Sequence, residues 1–118
     1  MSSDRRDAGS ATLWVVIAMA VVVTVAMSCA AIGTVVVARH RAATAADAAA
    51  LAAAGDVVAG PAAACAAAAA IARVDGAQLT RCGLDGAGAQ VEVRLPLPGG
   101  LSRFGSAVGQ ARAGPAAQ

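Results

Sequence analysis

The sequence holds 118 residues with a net charge of +2; hydrophobic residues make up 58% and aromatic residues 2%. That length leaves room for one small domain beside a long apolar helix and excludes an enzyme-sized core. The positive charge is weak and scattered, with no basic patch interleaved with aromatics, which excludes a nucleic-acid-binding surface.

Residues 1–10 form a short polar head carrying Asp4, Arg5, Arg6 and Asp7. From Ala11 to Ala38 there is no charged residue, no proline and one glycine, Gly33. A helix of about 20 apolar residues crosses the hydrocarbon of a bilayer, where no water is present to satisfy free backbone groups. Residues 11–38 exceed that length, so they are expected as a transmembrane helix that tilts or protrudes at one end. A chain this small has nothing that would bury a helix apolar on every face. Cys29, inside the run, reads as a small packing residue.

An arginine-bearing head before such a run fits either an uncleaved signal-anchor or a cleaved signal peptide. Ser28-Cys29-Ala30 offers a small-x-small site, but the apolar run continues past it, which favours the anchor. Positive charge decides orientation poorly, because Arg5 and Arg6 on one side face Arg39 and Arg41 on the other. The short head favours a cytoplasmic N-terminus and an extracytoplasmic C-terminal part. Trp14, Arg39 and Arg41 are the expected interfacial anchors, the arginines reaching headgroup phosphates.

Residues 39–60 are alanine-rich and contain no helix breaker before Gly55, so the helix is expected to continue beyond the membrane. His40, Thr44 and Asp47 fall on one polar stripe of a surface otherwise made of methyl groups. Such a surface lets another helix approach closely, which favours packing against partner helices over a plain spacer. Gly60-Pro61 breaks the helix, and Pro61 is placed to open a second, short one ending at Asp75-Gly76. A strand follows over Gln78–Leu84, with its alternation slipping near Arg81 and Cys82. After a glycine-rich turn at residues 85–88 comes a clearer strand in which Val91, Val93 and Leu95 alternate with Glu92 and Arg94. Residues 61–98 are thus expected as a short helix plus a β-hairpin, and residues 99–118 as a flexible tail. Cys65 and Cys82 would tie helix to strand if this part is exported, at about 3 kcal/mol for a loop of that size; in the cytosol they would be free thiols.

No catalytic constellation is present. His40 is the only histidine, the acids are singly placed, and Cys65, Cys82 and His40 do not have metal-site spacing. No cofactor is expected, and the chain is read as a non-enzyme.

Two local patterns carry a resemblance. Gly9-Ser10-Ala11-Thr12-Leu13-Trp14 resembles the head-to-helix junction of pilin-like proteins of tight-adherence (Flp) pilus systems. Arg39-His40-Arg41 followed by Ala46-Asp47-Ala48-Ala49-Ala50-Leu51-Ala52 resembles the segment after the membrane helix in TadE/TadG-like proteins. Asp47 and Leu51 stand at the centre of that motif, and Cys65, Cys82 and the hairpin resemble the short actinobacterial branch of the family. A composition without lysine or tyrosine, dominated by alanine, glycine and arginine, fits a GC-rich genome of that kind. The resemblance implies a processing junction at Gly9-Ser10. It also implies, as partners, a Tad-type secretion ATPase, its platform membrane proteins and other pilin-like helices beside membrane lipid. Trp14 stands where the pilin-like pattern has a glutamate used in subunit assembly. That departure points to an accessory, membrane-retained role rather than a main pilus subunit.

The expected protein is therefore an α+β membrane protein: a single N-terminal transmembrane helix that continues outside the bilayer, a short second helix and a small hairpin. Its expected role is an accessory, pseudopilin-like component of a Tad-type pilus assembly or secretion system in the cell membrane. The alternative is a small secreted binding protein released by cleavage near Ala30.

Overall fold

The structure, a computed structural model, describes residues 2–86 and 88–114, with side chains from Asp7 onward. Met1 of the expected head, Ala87 of the expected turn and residues 115–118 of the expected tail lie outside the described residues. The chain divides into two compact units, Met1–Gly33 and Thr34–Gln118. Helix α1 (Ser2–Gly55) supplies the first and opens the second. It is long and apolar enough to cross a membrane.

In the first unit the apolar side chains point outward along the whole helix, among them Leu13, Trp14, Val22, Met27 and Ile32. The hydroxyls in that run bond the helix's own backbone. Thr24 Oγ1 donates to the Ala20 carbonyl at 2.8 Å, and Ser28 Oγ donates to that of Thr24 at 2.9 Å. A hydroxyl satisfied in this way enters hydrocarbon without an orphaned donor.

The second unit packs the C-terminal part of α1 and helix α2 (Pro61–Val74) on one face of a three-stranded antiparallel sheet. Its strands are β1 (Gln78–Asp85), β2 (Gly88–Pro96) and β3 (Ser106–Ala113), in the order β1-β2-β3. A 3-10 turn at Val57–Ala59 joins the helices, and another at Gly99–Phe104 joins β2 to β3. Pro61 opens α2, as its missing N–H and fixed φ suit the first helical position. The helix closes on Gly76 at φ +75°. The Gly76 N–H donates to the Arg73 carbonyl at 3.0 Å and the Ala77 N–H to that of Ala72 at 2.8 Å. This is the paired closure that a left-handed glycine permits, sealed here by burial of Ala72 and Ala77 together.

The slip expected near Arg81 and Cys82 lies one residue earlier. Leu79 pairs with Val93 and Arg81 with Glu92, leaving Thr80 as the extra residue. That bulge lets Leu79, Cys82 and Leu84 all turn toward the helices.

Two expectations are corrected. The hairpin is a three-stranded sheet, because residues 106–113 pair with β2 along its length, from Pro96 with Ser106 to Ala89 with Ala113. The segment expected as part of a flexible tail is therefore an ordered strand preceded by a 3-10 turn. Its inward residues are Ala107, Gly109, Ala111 and Ala113, with Ser106, Val108, Gln110 and Arg112 outward. One further strand, paired along β2, satisfies an edge that a lone hairpin leaves open, consistent with the marginal stability of isolated hairpins.

The second correction concerns the alanine face of α1. Ala45, Ala46, Ala49, Ala50 and Ala53 are buried against α2 and the sheet, with Ala64, Ala68, Val91 and Val93. Ala38 and Ala42 are buried with Ala107, Leu95 and Leu97. The methyl surface expected to receive a partner helix is thus covered by the chain itself. The contact is closest at Gly109, where an added Cβ would overlap the carbonyl of Ala42 and stand 2.9 Å from the Ala43 nitrogen. Alanine on the helix and glycine on the strand let sheet and helix backbones meet directly.

Candidate functional site

With the alanine face occupied, what α1 offers outside its own fold is the opposite face. Asp47 and Leu51, four residues apart, are both exposed there, Leu51 to 68%. His40 and Thr44 lie on the same side, Thr44 Oγ1 donating to the His40 carbonyl at 2.9 Å. Leu51 is thus an apolar side chain on the face of α1 that the described residues leave uncovered. Asp47 makes no contribution to the core either. Arg39 and Arg41 are exposed at the end of the apolar run, and Trp14 is 70% exposed. Gly9 and Ser10 lie within α1 and are exposed, with the helix continuing through them.

Cys65 on α2 and Cys82 on β1 are bonded to each other, with Cα atoms 5.9 Å apart. The bond joins the second helix to the edge strand it packs on. Cys29 is a free, exposed thiol in the first unit. Among the described residues no three His, Cys, Asp or Glu side chains gather to hold a metal.

The outer face of the sheet is polar and built around Glu92. Gln110 Nε2 donates to Glu92 Oε2 at 2.9 Å, and Thr80 Oγ1 lies 3.1 Å from both Glu92 Oε1 and its carbonyl oxygen. Arg112 pairs with Asp85 at 3.2 Å across the turn. The bond from Gln110, opposed by desolvation and assisted by Thr80 and by the charges of Arg81 and Arg94, holds the Glu92 carboxyl below its ordinary value of 4.5. A carboxyl whose pKa is lower folded than unfolded stabilises the fold above the unfolded value and ceases to as pH falls through the folded one. The urea midpoint of the appendage, followed by circular dichroism, is expected to fall as pH drops below 4.5. The Glu92→Gln chain is expected to lose part of that slope; an identical pH profile for both chains would remove Glu92 from the account.

These features define a class: a protein with one long apolar helix whose second half is built into a small, disulfide-linked α+β appendage. Residues 9–56 match the family model described as "Putative Flp pilus-assembly TadE/G-like", so this segment of the chain is similar to that family. The match takes in the Gly9 junction, the apolar run and the Asp47-Leu51 motif, and it ends at Asp56, one residue past the end of α1. The stapled helix and the sheet lie outside it. No curated protein and no solved structure matches the chain.

Proposed function

We propose that the protein is a membrane-anchored, non-enzymatic accessory component of a Flp (Tad-type) pilus assembly system. In this reading the apolar part of α1 is held in the cell membrane with its N-terminus in the cytoplasm. The appendage is carried on the extracytoplasmic side, and the outward Asp47-Leu51 face of α1 packs against other pilin-like helices or the platform proteins. The observation that carries the proposal is where the TadE/G-like match falls. It covers residues 9–56, ends within one residue of the end of α1 at Gly55, and takes in the exposed Asp47 and Leu51. The alanines of the motif serve the chain's own packing, so the part left to address a partner is Asp47 and Leu51.

The test places a photo-reactive amino acid at Leu51, and separately at buried Ala53, in a host that carries a Tad-type pilus system. Light is expected to join the Leu51 position to a Tad membrane protein or pilin-like subunit and to leave the Ala53 position joined to nothing. Equal yields at the two positions, or products without any Tad component, would rule the proposed packing face out.

A further inference from the structure

We infer that the turn between β2 and β3, Gly99–Phe104, is a second membrane contact, seating the base of the appendage on an anionic lipid surface. The inference rests on the proposed membrane span and adds to it.

The position of the turn follows from what flanks it. Leu97 before it and Ala107 after it both pack with Ala38 and Ala42, where the apolar run of α1 gives way to Arg39. Strand β3 read backwards runs toward that end, from Gly109 on Ala42 to Ala107 beside Ala38. Two strand residues at roughly 3.3 Å each match about four helix residues at roughly 1.5 Å each, the step from Ala42 to Ala38. Gly105 and Phe104 come next along that line, at the level where α1 enters its apolar stretch.

The chemistry of the turn suits a bilayer interface. Phe104, the one phenylalanine of the chain, is 77% exposed, and Leu101 stands half-buried beside it. No described residue covers Phe104, and Phe and Leu are among the side chains with which an interfacial segment enters a bilayer surface. The end of α2 arrives at the same base, where Val74, 82% exposed, borders a cleft with Val37 and Arg41. The base is rich in arginine. Exposed Arg39, Arg41, Arg73 and Arg103 lie there with Asp75 among them, whereas at the far end Asp56 stands with the Asp85–Arg112 pair. Apolar side chains ringed by arginines are what an anionic headgroup layer receives.

The experiment puts a single tryptophan at Phe104→Trp in a Trp14→Phe background, with Val58→Trp in the same background for the far end. The full chain is reconstituted in phosphatidylcholine–phosphatidylglycerol vesicles carrying brominated acyl chains. Brominated lipid is expected to quench the Phe104→Trp chain several-fold more than the Val58→Trp chain, and aqueous acrylamide to do the reverse. The unaltered chain reports the span through Trp14, which brominated lipid should quench. If Trp14 is quenched but the Phe104→Trp chain behaves like Val58→Trp, the seat is wrong and the span stands. Protection of the Phe104→Trp chain from both quenchers means that protein covers the turn, which also overturns the inference. An unquenched Trp14 removes the span and the seat together.

Discussion

Replacing Gly109 by valine is expected to unfold the appendage while leaving the apolar part of α1 helical. Gly109 has ordinary backbone angles, so its role is room rather than conformational freedom. Even one methyl group there collides with the Ala42 carbonyl and crowds the Ala43 nitrogen, and both atoms belong to helix backbone. Backbone held in a hydrogen-bonded helix cannot give way as the end of a flexible side chain does. The strand must leave the helix, and with it the packing of Ala107 on Ala38 and Ala42. Overfilling a packed site costs about 1–3 kcal/mol for extra methylene groups that can relax. Gly109→Ala should fall at the upper end of that range, and Gly109→Val should exceed it. Trypsin cleavage at Arg81, Arg94 and Arg112 measures the open fraction when opening is fast relative to cutting. The expected order of susceptibility is Gly109→Val above Gly109→Ala above the unaltered chain. Val108→Ala, on the outward face of the same strand, should resemble the unaltered chain. Equal protection of the valine variant would mean that helix and strand do not touch at this point.

The same residue shows where a reading of sequence stops. The apolar run, the proline start of α2 and the alternation in β2 are all written in residue types with strong, specific preferences; the long helix ends at Gly55, five residues before the break expected at Gly60-Pro61. Strand β3 is written otherwise. Its inward residues are alanine and glycine and its outward residues are Ser106, Val108, Gln110 and Arg112, so polarity barely alternates while size does. A hydrophobic period of two is weak in such a segment, and a composition of Gly, Ala, Ser and Gln suggests a tail. The pairing is fixed by β2, whose Val91 and Val93 supply the large inward side chains that β3 lacks. The alanine surface of α1 is ambiguous for a related reason. Small residues permit close approach by any backbone, and nothing in their spacing says whether the visitor is another chain or a strand from the far end of the same one. Asp47 is legible as part of a polar stripe and, with Leu51, as a motif; that Leu51 shares the outward face is visible only once the alanines between them are seen to be occupied.

Loss of the Cys65–Cys82 bond is the other change expected to weigh most. Among the described residues, every buried hydrophobic one is alanine apart from Val91 and Val93, and Val93 is the largest side chain fully enclosed. A buried methyl contributes on the order of 0.8 kcal/mol, against about 1.5–3 kcal/mol for a whole leucine or phenylalanine. The core thus gains little per residue, and Arg112–Asp85, exposed on both sides, adds little more. A bond closing a loop of 17 residues contributes about 3 kcal/mol, as much as several of those methyls together. Since whole domains are commonly stable by only about 5–15 kcal/mol, a thin core without its bond is left close to the threshold. The Cys65→Ser, Cys82→Ser chain, or the unaltered chain in reductant, is expected to lower the unfolding free energy by about 3 kcal/mol, read from urea midpoints at equal slope. Cys29→Ser, in the other unit, should change nothing in the appendage. The bond also binds stability to place, because such disulfides persist in oxidising compartments and not in the cytosol. In intact cells, then, Cys65 and Cys82 should resist alkylation until a reductant is added. Immediate labelling of both would mean that the appendage faces the cytoplasm, and the proposed orientation would have to be reversed.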